Sequence, residues 1–332
     1  MSASGETRLF GGVDEAGLGP LLGPLTLGFS VFRAPAGATD LWRTLAGVTT
    51  KDPSSNALFA VADSKKVFQR TPRSAARLEA TALGFTALLH ERRKLPERAS
   101  DYVWRMPSEL APPPEVVGEH PWYAGMDAAL PRYQDAGRLE LSVERLSRAL
   151  RGARVALVDA GVRALPEREL NRSFARTHNK AATHWESSAG VFRYLWQRHA
   201  AEGLHLVVDR HGGRFHYGSL LGQTFPEATV ELVREKPSLA EYRISERDGP
   251  RRLQILFAER AESRSFATAL ASCMAKYARE ACMQSFNAYF CDLAPGLEPT
   301  AGYSQDGRRW IADASPHLAR AGLDPSELMR RR

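Results

Sequence analysis

Two carboxylates stand side by side in Phe10–Leu25, FGGVDEAGLGPLLGPL, where Asp14 and Glu15 end a short apolar run and precede a loop of glycine and proline. Neighbouring strand residues point to opposite faces, so both acids serve one site only where regular pleating stops. Gly17 and Gly19 permit that departure, because glycine enters backbone conformations closed to other residues. An Asx-type turn accounts for one of the acids but not for both. Asp209 closes LHLVVD, which reads as a strand buried on both faces, and ligand groups gather at the C-terminal ends of such strands. Asp209 can instead cap the turn DRHGG, and Asp159, closing VALVD, is its rival; Asp209 is preferred because a hairpin and an acid-bearing helix follow it. Glu280 lies in that helix, SFATALASCMAKYAREACMQSF, where Cys273, Tyr277, Glu280 and Gln284 form one stripe flanked by small alanines. A carboxylate on a buried stripe is costly unless it is paired or holds a metal, and Lys276 one turn earlier is the pairing alternative.

Four acids on three elements suit a site for a hard divalent cation such as Mg²⁺, which takes oxygen ligands and leaves positions open for phosphate oxygens. Two such ions about 3.5–4 Å apart can activate a water and stabilise the leaving oxygen in phosphodiester hydrolysis. No Cys/His cluster competes. Cys273, Cys282 and Cys291 are nine residues apart, which turns a helix about half a circle each time. His211 and His216 read as water-exposed loop positions. The odd, unclustered cysteine count fits a reducing cytoplasm. The net charge of +7, with 38 of 45 basic residues arginine, favours a polyanionic partner, nucleic acid first. Genome composition produces the same excess, so charge alone decides nothing.

The elements that must position these residues follow from pattern. Leu9–Val13 and Leu25–Arg33 read as an N-terminal β-hairpin, and Arg73–Glu91 has helical periodicity. Lys94–Gln134 is proline-rich without a sustained period and reads as an irregular surface insertion. A short helix at Leu139–Leu150 and a strand at Arg154–Val158 follow. Pro166–Arg176 and Ala182–Glu202 read as helices, the second ended by Gly203. LHLVVD is a strand, ATVELVREK and AEYRISE a partly exposed hairpin, LQILFAE a further strand, and Ser265–Leu293 one long helix. The pattern predicts an α/β fold with a mixed sheet flanked by helices. Residues 1–310 are expected to form the catalytic domain, with an insertion at about 94–150, and 311–332 a C-terminal tail. No run of 18 apolar residues predicts a membrane-spanning helix, and the N-terminus does not read as a signal peptide.

These residues together resemble the type 2 ribonucleases H, the ribonuclease HII group. GVDEAGLGPLLGPL is similar to that family's first motif, ADSKKV (Ala62–Val67) to its Asp-Ser-Lys segment, LVVD to the strand of its third acid and ALASCMAKYARE to the helix of its fourth. The resemblance implies a ribonuclease H-like fold and an endonuclease acting on the RNA strand of RNA–DNA hybrids or on ribonucleotides embedded in DNA. It implies Mg²⁺ or Mn²⁺ held by Asp14, Glu15, Asp209 and Glu280, and phosphate contacts from Lys65, beside Ser64, and from Lys276. It implies a 3′-hydroxyl and a 5′-phosphate as products. Two departures stand out. The family's Gly-Arg-Gly is here Gly17–Leu18–Gly19, which bears on recognition of the ribose 2′-hydroxyl at an RNA–DNA junction. The family's aspartate is here Glu280. TAGYSQDGRRW (Thr300–Trp310) stands where the family has a tyrosine that stacks on the sugar, which makes Tyr303 the candidate. The alternative is a nucleic-acid-binding protein of the same fold whose nuclease activity is lost or altered.

Overall fold

The computed structural model describes residues 6–38, 40–104 and 107–331. The apolar run before Asp14 is part of β1 (Thr7–Ala16), which pairs antiparallel with β2 (Leu25–Pro35), Asp14 opposite Gly28 and Glu15 opposite Leu27. The remaining strands of the main sheet are β3 (Ala156–Leu165), β4 (Leu204–Asp209), β5 (Ala228–Lys236), β6 (Leu239–Glu246) and β7 (Arg252–Ala258). Their order is β3-β2-β1-β4-β7-β6-β5. β4 runs parallel to both β1 and β7, while the other pairs are antiparallel. This register decides where the acids emerge. Val13 pairs with Val208, so Asp14 and Asp209, each one residue further on, leave the sheet at the same edge. Asp209 in turn lies opposite Ala258, the last residue of β7.

Helices cover both faces. They include α1 (Pro72–Ala87), α2 (Ala136–Gly152), α3 (Glu167–Thr177), α4 (Lys180–His199), α5 (Phe266–Leu293) and α6 (Ser304–Arg320). α5 starts at Ser265, whose side chain accepts the Thr268 amide, and it lies close against β1 and β2. A Cβ on Gly12 would sit 2.1 Å from the Thr268 nitrogen, and one on Gly28 2.1 Å from the Ala271 carbonyl oxygen. Glycine on the strands facing alanine on the helix is what permits this approach. On the other face, Trp185, Phe192, Leu195 and Trp196 of α4 pack with Phe29, Leu206 and Phe257. Full burial of each such side chain contributes about 1.5–3 kcal/mol.

Three differences from the sequence reading have physical causes. The proline-rich segment is not a surface insertion. Its short helices Ala99–Trp104 and Pro121–Ala124 carry Tyr102, Trp122 and Tyr123 into the core, each 1% exposed. Single aromatics reach the core here without the repeat that marks a long amphipathic element. β3 extends to Leu165, seven residues beyond the expected Val158, because Gly161 and Arg163 dilute its apolar pattern. The division expected at residue 310 falls inside α6, whose Trp310, Ala314 and Leu318 are buried, as is Leu328 beyond it. Among the described residues, no helix is long and apolar enough to cross a membrane.

Candidate active site

The edge where β1, β4 and β7 end gathers carboxylates. Asp14 is 8% exposed, and its Oδ1 accepts the Glu15 amide at 2.7 Å. Burial raises its pKa well above the usual carboxylate range, and the charges of Glu15 and Asp209 raise it further. The Ser272 hydroxyl of α5, which also meets Ser64 Oγ at 3.0 Å, opposes that rise. Glu15 is pushed up to about 7, first by burial and then by Asp209. Asp209 is raised by burial, against the amides of Ala261 and Arg210; the Ala261 amide lies 3.1 Å from its Oδ1. Because Asp209 raises both Asp14 and Glu15, the three acids share one poorly solvated space.

A fourth acid belongs here, and it is Glu262 rather than Glu280. Glu262 follows Ala261 directly, in the turn between β7 and α5, and burial, Asp209 and Asp63 all raise its pKa. Glu280 instead pairs with Lys276 Nζ at 2.5 Å, with its side chain only 23% exposed. The fourth assignment is therefore corrected: the pairing alternative is the one Glu280 takes. The reason is helix geometry. Ser272 faces Asp14, and eight residues along a helix carry Glu280 about 12 Å away. Glu262 was missed because the long helix drew attention past the turn before it. The available signal was a third strand, LQILFAE, with an acid just beyond its end.

Of the other predicted residues, some lie at this edge and others do not. Asp63 caps the short helix Ser64–Val67 by accepting the Lys65 amide. Lys65 is exposed, and its charge lowers Glu15, Asp209 and Glu262 alike, which makes it a cation facing the cluster. Lys276 is committed to Glu280 and sits 4.9 Å from the centre of the Phe68 ring. Asp159 is not at the edge: Tyr194 donates to it at 2.8 Å, and His199 Nε2 lies 2.7 Å away. His216 is exposed and pairs with Glu235. His211 is buried, contrary to expectation, and lies against buried His184 with ring centres 4.1 Å apart and the rings tilted by 32°. Burial lowers both imidazoles, His184 to about 4, and His184 Nε2 lies 3.9 Å from Glu15.

The glycine loop is held from behind by groups the sequence did not single out. Gly17 has φ +90°, and a Cβ there would meet the Arg279 guanidinium at 2.5 Å. Arg279, 1% exposed, donates to the Leu22 carbonyl at 3.1 Å. Gly302 O accepts the Leu21 and Leu22 amides, and Glu167 accepts the Gly23 amide at 3.0 Å. Arg330, near the C-terminus, donates to the carbonyls of Gly17 and Pro20. Gly19 at the tip is exposed, and Leu18 packs against the core beneath α4. Tyr303 follows Gly302, is 44% exposed, and has the Arg279 and Arg70 guanidinium carbons 5.8 and 5.6 Å from its ring centre. That places the tyrosine beside the loop.

Buried and half-buried carboxylates with raised pKa values are an oxygen donor set of the kind that hard divalent cations complete. Among the described residues, no group of three or more His, Cys, Asp or Glu side chains is arranged to hold a metal as it stands. No known family's sequence model matches the chain. No curated protein matches it. Among solved structures, it is similar to the PCNA:RNase HII complex from Archaeoglobus fulgidus, at 14% identity and TM-score 0.43 over 98% of this chain and 94% of that one. It is similar also to the ribonuclease H2 from Pyrococcus horikoshii, at 16% identity and TM-score 0.46 over 98% and 93%. Bst-RNase HIII in complex with Mn²⁺ aligns at 13% identity and TM-score 0.38 over 97% and 66%. These likenesses are distant; the chemistry is carried by the chain's own side chains.

Proposed function

We propose that this chain is a divalent-metal-dependent endonuclease that hydrolyses the RNA strand of RNA–DNA hybrids, or ribonucleotides embedded in DNA. The observation that carries the reading is the register of β1 with β4 and β7. It supports a single edge on which the charge of Asp209 raises the pKa values of Asp14, Glu15 and Glu262. Those four would hold Mg²⁺ or Mn²⁺, which when bound activates water and stabilises the leaving oxygen of a phosphodiester.

The chain's own groups supply the rest. Lys65 offers a point charge to a phosphate beside the acids. The loop tip at Gly19 lets a nucleic-acid backbone approach, since no side chain stands there. Tyr303 offers a ring face to a sugar. Arg279 and Arg330 set the loop without facing the substrate. Nucleic acid is thus the partner and the cytoplasm the expected compartment. A protein that binds hybrids without cutting them is the second reading, favoured by Leu18, which cannot donate to a phosphate. Labelled RNA–DNA hybrid, DNA with one ribonucleotide and plain DNA, each incubated with Mg²⁺ or Mn²⁺, separate the two. Cleavage of either ribonucleotide-containing duplex is expected; binding without cleavage favours the second reading.

A further inference from the structure

The stripe of Tyr277, Glu280 and Gln284 on α5, which the acid edge leaves unused, lines a cavity of about 300 Å³. Its other wall is the proline-rich segment, through Trp122, Met126 and Tyr133. We propose that this cavity receives one nucleobase bearing an exocyclic amino group. The identity of the occupant rests on the reading that the chain binds nucleic acid; the site itself does not.

Three observations point to that ligand. First, the lining is mostly apolar and aromatic, and flat apolar rings stack on any base. The volume lies at the small end of ligand pockets, suited to one base with its sugar and not to a duplex. Second, most polar groups of the wall are already committed. Glu79 accepts the Arg132 and Tyr133 amides and the Tyr277 hydroxyl. Gln284 accepts Arg132 Nη1 at 2.8 Å and donates to the Tyr133 hydroxyl at 2.7 Å. Among the described residues, Lys276 engages Glu280 Oε1, Asp292 adds a second carboxylate to the lining, and Trp122 Nε1 is buried without a hydrogen-bond partner. A carboxylate only accepts, so the edge of the ligand that meets Glu280 must donate, while Trp122 Nε1 suits an acceptor such as a ring nitrogen. The amino groups of adenine and cytosine donate, whereas uracil presents a carbonyl at the corresponding position. Third, the cavity adjoins the acid edge. Phe68, part of its lining, directly follows the Ser64–Val67 helix that carries Lys65. Glu280 is about 12 Å along α5 from Ser272 by helical rise. A base turned out of a bound strand can reach that far, and an unpaired or mismatched one does so at least cost.

Adenosine, cytidine and uridine, titrated into metal-free protein by calorimetry, test the site independently of nuclease activity. Adenosine and cytidine are expected to bind about tenfold or more tightly than uridine, the effect of one hydrogen bond to a charged group. Glu280→Gln is expected to abolish that preference. Ala288→Trp, at an exposed lining position of α5, is expected to block all three without disturbing the fold. Equal binding of the three nucleosides, binding unaffected by Ala288→Trp, or no binding to the wild type overturns the proposal. The second arm places 2-aminopurine at successive positions of an RNA–DNA hybrid. A fluorescence change at one position that Ala288→Trp removes identifies the bound strand as the source of the base; its absence, with nucleosides still bound, assigns the site to free nucleosides. A chain that binds nucleosides in this pattern but cleaves no duplex keeps the site and loses the nuclease reading.

Discussion

Glu262, in the turn before α5, and Glu280, in the middle of that helix, are both glutamates, yet their surroundings give them opposite roles. Glu262 shares its space with Asp209 and Asp63, while Glu280 has a lysine of its own. Glu262→Gln is therefore expected to lower cleavage about 100-fold or more, and Glu280→Gln to leave the rate on a hybrid within about threefold, since loss of even an outer-sphere metal contact costs about 10–100-fold. Steady-state rates of both variants decide it; equal losses would return Glu280 to the site. The raised pKa of Glu15 has a consequence for stability. Its carboxyl is held at about 7 in the fold against 4.5 ordinarily, so the fold prefers the protonated form. That contribution is fully present below about pH 4.5 and is lost as the pH rises through about 7. By pH 8 the loss amounts to about 3 kcal/mol. In chelator, Glu15→Gln should gain stability over the wild type between pH 5 and pH 8. A stability difference between the two that is flat with pH would contradict this.

At the scale of elements, the glycine loop is a clamped strap. Arg330 reaches it from the far end of the chain, beyond a helix that the sequence did not tie to the site. Removing the Arg330 guanidinium leaves two loop carbonyls without their donor. Arg330→Ala should raise KM for a hybrid more than it lowers kcat, and Arg330→Lys should restore part of the loss; an unchanged KM would show that the loop stands without it. Leu18 sits on the same strap. Leu18→Arg adds a charged donor worth about 1.5–3 kcal/mol, or roughly 10- to 150-fold, in favour of a single embedded ribonucleotide over a longer RNA tract. The ratio of cleavage rates on the two substrates measures it, and a ratio that Leu18→Arg does not move removes this position from selectivity. The paired acids, the hairpin around them and the long helix were legible because strand alternation, turn glycines and helical periodicity are local signals. Glu262 and Arg330 were not, because their importance comes from strand register and from chain-end docking, which no local pattern reports.

For the molecule as a whole, the sheet is the instrument of convergence. Asp14 and Glu262 are 248 residues apart in sequence (262 − 14), and only three strands ending at one edge bring them together. The mixed sheet with helices on both faces was readable from the order of strand and helix patterns. The place of the proline-rich segment was not, because its buried aromatics follow no period. The central claim, that one edge of this sheet hydrolyses RNA in duplex with DNA, is tested most directly by a single assay. Wild type and Asp209→Asn are incubated with Mg²⁺ or Mn²⁺ and an end-labelled RNA–DNA hybrid, with binding of the same hybrid measured in parallel. The account predicts internal cleavage of the RNA strand by the wild type, none by Asp209→Asn, and comparable binding by both, because phosphate contacts supply most of the affinity. Undiminished cleavage by Asp209→Asn, or no cleavage by the wild type with either metal, would contradict it.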